Sequence, residues 1–162
     1  MILLRKGIKF KYELVKMQRI FTAPTECEVH NMSKVFELLK EYGVFYVATV
    51  KNGMPAVRPF GAVMEYNDEL YIATANFKDV YKQLITEKNV QLAATKAGTL
   101  DWLRISGIAE EVREISIKEK MLQECPVLVN IFKSADNEVF AVFCIKDMHA
   151  VSYAAGSCEE LQ

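Results

Sequence analysis

The stretch from Val44 to Thr74, VFYVATVKNGMPAVRPFGAVMEYNDELYIAT, constrains the fold more than any other part of the chain. Runs rich in Val, Tyr, Phe, Ile and Ala are separated by two short turn signals, Lys51-Asn52-Gly53 and Asn67-Asp68. Asn-Gly takes positive φ readily, so it joins two strands directly as a hairpin. Strands linked so tightly run antiparallel, because a parallel pair needs a crossover of roughly a dozen residues or more. The sequence therefore points away from a doubly wound parallel sheet.

The flanking segments extend this pattern. From Ser33, the apolar positions Val35, Phe36, Leu38, Leu39 and Tyr42 recur at helical spacing and stop at Gly43. Strands are predicted at VFYVATV, at Ala56 to Tyr66 and at ELYIAT. After Thr74 the period changes: Phe77, Val80, Tyr81, Leu84 and Ile85 predict a helix over Lys78 to Thr86 with one buried face. Strands follow at VQLAAT and WLRISGIAEEV. Ser116 and Glu119 read as a capping box opening a helix through Met121 and Leu122. Pro126 suits the first turn of a second short helix ending near Phe132. EVFAVFCIK and HAVSYAA predict two closing strands. The expected class is mainly β (α+β): a six-stranded antiparallel barrel with helices on its outside.

Of the 162 residues, 51% are hydrophobic and 25% charged, enough for one domain with a proper core. A formal net charge of −1 gives no overall attraction to nucleic acid, so none is expected as a partner. No apolar run reaches the length of a membrane-spanning helix, and no membrane partner is expected. At the start, MILLRKGIKFKYELVKMQRIF places apolar residues ahead of charges, the reverse of a secretory signal. The four cysteines, Cys27, Cys125, Cys144 and Cys158, form no C-x-x-C, and His30 and His149 have no zinc-finger spacing to them. Scattered single cysteines suit a reducing cytosol, so the expectation is a cytoplasmic protein without a metal site. Residues 1–31 read as an extension, partly helical, and 32–162 as the domain.

Four features carry chemistry. Alternation along the second strand puts Ala56, Arg58, Phe60, Ala62 and Met64 on one face, with Val57, Pro59, Gly61 and Val63 on the other. A guanidinium on that apolar face either reaches water at a barrel rim or binds an anion. Pro59 lacks a ladder donor and Gly61 lacks a side chain, which fits an edge strand with a bulge or an opening where a flat ligand meets the backbone. In TANFK, Thr74 ends a strand, Asn76 is placed as an N-cap and Lys78 flanks the first turn. That is either an ordinary capped helix or a phosphate cradle. Without G-x-x-x-x-G-K it does not support nucleotide triphosphate hydrolysis. Trp102 and Arg104 share a strand face, either as a core tryptophan beside a surface arginine or as a stacking surface for a ligand or second subunit. No Ser-His-Asp, Cys-His or paired-carboxylate arrangement stands out, so no catalytic acid or base is assigned.

The ordered series VATVKNGMPAVRPFGAV, LYIATANFKDVYKQL and WLRISGIAEEV resembles the flavin-binding split-barrel proteins related to pyridoxamine 5'-phosphate oxidase. The resemblance runs from about Met32 to the C-terminus. It implies a Greek-key split barrel that dimerises and binds flavin mononucleotide (FMN) in two clefts between subunits. It implies that Arg58, Pro59, Phe60 and Gly61 contact the flavin and that Thr74, Asn76 and Lys78 receive its phosphate, with Lys82 and Gln83 as weaker additions. Trp102 and Arg104 would complete the cleft near the partner. The sequence ends at GSCEELQ without the Arg-x-His segment that the oxidase uses for substrate phosphate. The resemblance is thus to short members, including those grouped with nitroimidazole-resistance proteins. The expected function is that of an FMN-dependent oxidoreductase acting on a small molecule, with a nicotinamide as one electron donor to test. Alternatives are a non-catalytic flavin sensor, store or delivery module, or a split barrel using haem or deazaflavin.

Overall fold

The computed structural model describes residues 33–154 and 156–161. The 1–31 extension, with its expected partial helix, lies outside the described residues. Helix α1 (Lys34–Tyr42) leads into strands β1 (Phe45–Lys51), β2 (Met54–Phe60), β3 (Val63–Tyr66) and β4 (Glu69–Ala75). Helix α2 (Asp79–Thr86), strands β5 (Asn89–Thr95) and β6 (Trp102–Val112), and helices α3 (Ile115–Glu124) and α4 (Val127–Phe132) follow. Strands β7 (Phe140–Ala154) and β8 (Ser157–Leu161) close the chain.

All pairings are antiparallel, in the order β2-β1-β5-β6-β7-β4-β3, with β8 beside β7. Eight strands are thus described where six were expected. Among the described residues no ladder joins β2 to β3, and the barrel stays split there. Both hairpins have the turn their sequences dictate. Asn52 and Gly53 take φ of 52° and 76°, and Asn67 and Asp68 take 51° and 60°, the paired positive values of a type I′ turn.

Two apolar layers share the central strands. Phe45, Val47, Ile72, Leu92, Leu103, Ile105 and Phe143 fill the barrel, joined by Val35 and Leu39 from α1 and Val80 and Leu84 from α2. On the other side of β4 and β7, Met64, Tyr71, Val142 and Cys144 pack under Met121 and Leu122 of α3 and Leu128 and Phe132 of α4. Strands β4 and β7 therefore bury both faces, which is why YIATA and FAVFCI read as unbroken apolar runs.

Four local expectations are corrected. The predicted strand from Ala56 to Tyr66 breaks after Phe60. Phe60 and Val63 face the barrel, whereas Ala62 and Met64 face the helices, so Ala62 and Met64 do not share the face of Arg58. The two expected closing strands are one, bent by a bulge. Ser106 pairs with His149 but Ile108 pairs with Lys146, leaving Asp147, at φ 49°, and Met148 opposite Gly107. A Cβ on Gly107 would lie 2.7 Å from both the Lys146 carbonyl oxygen and Ile145 Cγ2, so only glycine fits. Helix α3 begins at Ile115 with Glu114 as N-cap, which puts Ser116 inside the first turn rather than at the cap. The N-cap of α2 is Lys78, not Asn76.

Candidate functional site

Arg58 lies on β2, the first strand of the sheet order, opposite Val47 of β1. Its side chain is half-buried and closes a ring of hydrogen bonds. Nη1 donates to the Val47 carbonyl at 3.1 Å and to Thr49 Oγ1 at 2.6 Å, while Nη2 donates to Gln83 Oε1 at 2.6 Å. The Thr49 hydroxyl passes its own hydrogen to Gln83 Oε1 at 2.5 Å. Both neighbours of that amide are donors, so its oxygen must face them. Thr49 is 3% and Gln83 7% exposed. The hairpin register brings Thr49 to the pair next but one from Arg58, and helical spacing turns Gln83 inward with Val80 and Leu84.

Every one of these acceptors is neutral. Among the described residues no carboxylate lies within ion-pair distance of Arg58, Lys78 or Lys82. Burial lowers the Arg58 pKa from its ordinary value, and the nearby Asp79 charge opposes that shift. Asp79 itself pairs with Lys51 at 2.6 Å across the gap between the β1–β2 hairpin and α2, and this pairing holds its carboxyl below the usual range.

The other predicted positions fall in two groups. Thr74 is buried near the end of β4, Lys78 is exposed at the start of α2, and Lys82 and Gln83 line a cleft of about 310 Å³ between that helix and the hairpin. Asn76 does not cap the helix: its side-chain amide donates to the Glu138 carbonyl at 2.8 Å, tying the turn to the start of β7. Pro59 is exposed opposite Tyr46, Phe60 packs on Phe45, and nothing lies within 4 Å of where a Gly61 Cβ would be. Of these residues the structure joins Arg58 directly to Gln83, and the others lie along β2 and its end or in the β4–α2 turn and α2.

Trp102 and Arg104 stand apart, on β6, with β1 and β5 between them and β2. The indole stacks on Tyr153 of β7, with ring centroids 4.1 Å apart and planes 5° from parallel, and the Arg104 guanidinium lies 5.8 Å from the same phenol ring. Sequence reasoning missed Thr49, the pairing of Gln83 with Arg58, and Tyr153. The Asn-Gly register alone could have found Thr49.

A second polar cluster sits where β4 meets β7. Glu69 accepts hydrogen bonds from Lys146 Nζ, from Tyr71 Oη at 2.9 Å and from Cys144 Sγ at 3.3 Å. Burial, aided by Glu69, raises the Tyr71 pKa and pushes the Cys144 thiol up to about 12, while Lys146 holds Glu69 below the carboxylate range. A larger cleft, of about 580 Å³, opens on the outer face between Ala48 and Val50, Gln91, and Ser106 and Ile108, and contains none of the predicted site residues.

The strand order, the split between β2 and β3, and helices on the outside define a split barrel. The chain belongs to the pyridoxamine 5'-phosphate oxidase family, whose sequence profile matches residues 32–147. It is similar to a NimC/NimA family protein from Clostridium acetobutylicum, at 35% identity over 78% of this chain and 87% of that one, with a TM-score of 0.74. A putative pyridoxamine 5'-phosphate oxidase from Listeria innocua shares the fold at 19% identity, covering 76% and 97% of the two chains with a TM-score of 0.57. The haem storage protein HutZ from Vibrio cholerae shares it at 15% identity, covering 70% and 89%, also at 0.57. No curated protein matches the sequence.

Proposed function

We propose that this chain is an FMN-binding flavoprotein, an oxidoreductase that works as a homodimer on a small molecule. The observation that carries the reading is Arg58, a half-buried cation whose hydrogen-bond partners are all neutral. It stands in a family named for an oxidase. A desolvated cation without a counterion favours an anion, and a flavin phosphate is one.

The described residues fit such a group. Arg58, Lys78 and Lys82 would hold the phosphate, with Thr74 and the first amides of α2 beside them. Asn76 would contribute through its backbone position in the turn. Pro59, Phe60 and Gly61 would meet the flat ring, since β2 is an edge strand and the space around Gly61 is open. When bound, the flavin supplies hydride and electron transfer. The protein positions it and excludes water.

The second subunit is supported by the outer face of β1 and β2. Tyr46 is 47% and Val57 61% exposed there, flanked by Pro55 and Pro59. Trp102, Tyr153 and Arg104 would meet the partner along the same outer surface.

A visible absorption spectrum of the purified protein, repeated while FMN is added, tests the cofactor. Flavin bands rising to one flavin per chain are expected. A colourless protein that ignores FMN, or one carrying a haem spectrum, would remove the reading. Steady oxidation of a nicotinamide donor faster than with free FMN then separates an oxidoreductase from a carrier.

A further inference from the structure

We infer that Gln83 and Thr49 are positioning residues that keep Arg58 oriented and free of any counterion, and that the neutrality of Gln83 sets a preference for a phosphorylated ligand over its unphosphorylated form. This rests on the proposed flavin site and names residues that act there through another side chain.

Three observations converge. First, the clamp is closed on itself: Thr49 Oγ1 accepts from Arg58 and donates to Gln83 Oε1, which also accepts from Arg58. Both side-chain oxygens are thus engaged within the ring, and only the Gln83 amide NH2 is left to face the cleft that Gln83 lines. Second, Gln83 Oε1 occupies the position where a glutamate oxygen would form a salt bridge of the same geometry. Guanidinium and carboxylate pair better than guanidinium and amide, so a purely structural clamp would be stronger with glutamate. Third, the molecule does use carboxylates for this purpose elsewhere, since Glu69 neutralises Lys146 on β7. Among the described residues the one acid whose charge reaches Arg58, Asp79, is drawn off by Lys51. The net result is a fixed positive charge beside the first turn of α2, with Lys78 and Lys82 adding to it.

Gln83→Glu is the discriminating variant. It is isosteric, keeps every hydrogen bond of the ring and cancels the charge. Thr49→Val, which keeps shape but cuts the ring, serves as the second variant. FMN and riboflavin, which differ only in the phosphate, are titrated against the wild-type protein and both variants by flavin fluorescence, with thermal melts to verify folding. Wild type is expected to favour FMN. In Gln83→Glu the ratio of FMN to riboflavin affinity is expected to fall at least about tenfold, as loss of a charge-assisted contact implies, with a melting temperature equal to or above that of wild type. In Thr49→Val the ratio falls by a smaller factor. A structural role alone would leave the ratio unchanged, and an unchanged ratio in Gln83→Glu overturns the inference.

If wild type binds neither flavin, the flavin reading fails and inorganic phosphate decides the clamp separately. Phosphate that raises the melting temperature of wild type but not of Gln83→Glu upholds it. Phosphate that raises both equally, or neither, overturns it.

Discussion

Arg58 and Lys146 are both cations half withdrawn from water, one on β2 and one on β7, and the molecule treats them oppositely. Lys146 meets Glu69, whose remaining lone pairs take a phenol and a thiol, so the charges cancel within the fold. Arg58 meets a carbonyl, a hydroxyl and an amide oxygen, so its charge remains. A cation with its counterion supplied is a finished structural element, whereas one solvated only by neutral dipoles is completed by something from outside. The first cluster should thus govern stability and the second should govern binding, and substitutions at each can break that division.

The largest effect on stability is expected from Gly107→Ala. The new Cβ would press on the Lys146 carbonyl and on Ile145 at 2.7 Å, and a backbone atom cannot swing aside. Overpacking of this kind costs about 3 kcal/mol, on the order of a 10 °C fall in melting temperature for a domain of this size. Flavin affinity of the folded protein should stay near wild type, because β5 and β1 lie between the bulged β6–β7 pair and β2 in the sheet order. A melting temperature within error of wild type would show that the β7 bulge gives way and that Lys146 is not held by it.

The Glu69 cluster also sets the alkaline limit. An unfolded thiol ionises near its ordinary value of 9.0, whereas burial holds Cys144 protonated up to about 12. Between these values the folded state binds the proton more tightly, so stability is whole below about pH 9 and falls as pH rises towards 12. Tyr71 and Lys146 are shifted upward too and act in the same direction. Melts between pH 8 and 11, taken as about the accessible window, should fall less steeply for Cys144→Ala than for wild type. Parallel curves would place the alkaline sensitivity elsewhere.

How much of this was legible follows from which contacts are local. The Asn52-Gly53 hairpin, the α1 boundary between Ser33 and Gly43 and the strand at ELYIAT depend on neighbours in sequence, and they were read correctly. The continuity of β7 was not, because a bulge at Asp147 and Met148 puts an aspartate directly after Lys146 in the strand and imitates a turn. Ser116 and Glu119 have capping-box spacing, but the same spacing fits one turn further into a helix. Asn76 is drawn from the cap by the Glu138 carbonyl, a partner 62 residues away. At the site, Arg58 was conspicuous because a guanidinium on an apolar face demands a partner. The identity of that partner was hidden, since Gln83 reaches it from α2, 25 residues on. Tyr153 was hidden by the bulge, which shifts the register that brings it opposite Trp102.

Glu69→Gln probes the same cluster more gently. It keeps acceptors for Tyr71 and Cys144 but leaves Lys146 without its counterion. Both charged groups are more than one-third exposed, so water screens most of the loss and the cost is about 1 kcal/mol. Its pH signature has a definite sign. Lys146 holds the folded Glu69 pKa below 4.5, so its stabilisation is present above that value and is lost as pH falls through the folded pKa. The variant should therefore show a shallower acid transition than wild type. An unchanged acid limb would mean that the ion pair adds nothing in solution.

The smallest effect sharpens the comparison from the Arg58 side. Among the described residues Asp79 is the one acid that Arg58 feels, and it is exposed and held by Lys51. Asp79→Asn removes a negative charge beside the cation and releases Lys51, so the local positive charge grows by one unit. Loss of an acid from the first turn of α2 works against the helix itself, since its N-terminus favours a negative group there. A bound phosphate would take over that role, which makes the helix in this variant more dependent on ligand. FMN affinity should rise about threefold at low salt, and the gain should vanish near 1 M salt, where screening confines charges to about 3 Å. Riboflavin, without the phosphate, should show neither the gain nor its salt dependence. A gain that survives high salt would mean that Asp79 acts by steric exclusion at the cleft mouth and not through its charge. No gain at any salt would mean that Lys51 already cancels Asp79 as seen by the ligand, and that Arg58 alone, held by its neutral clamp, sets the charge of the site.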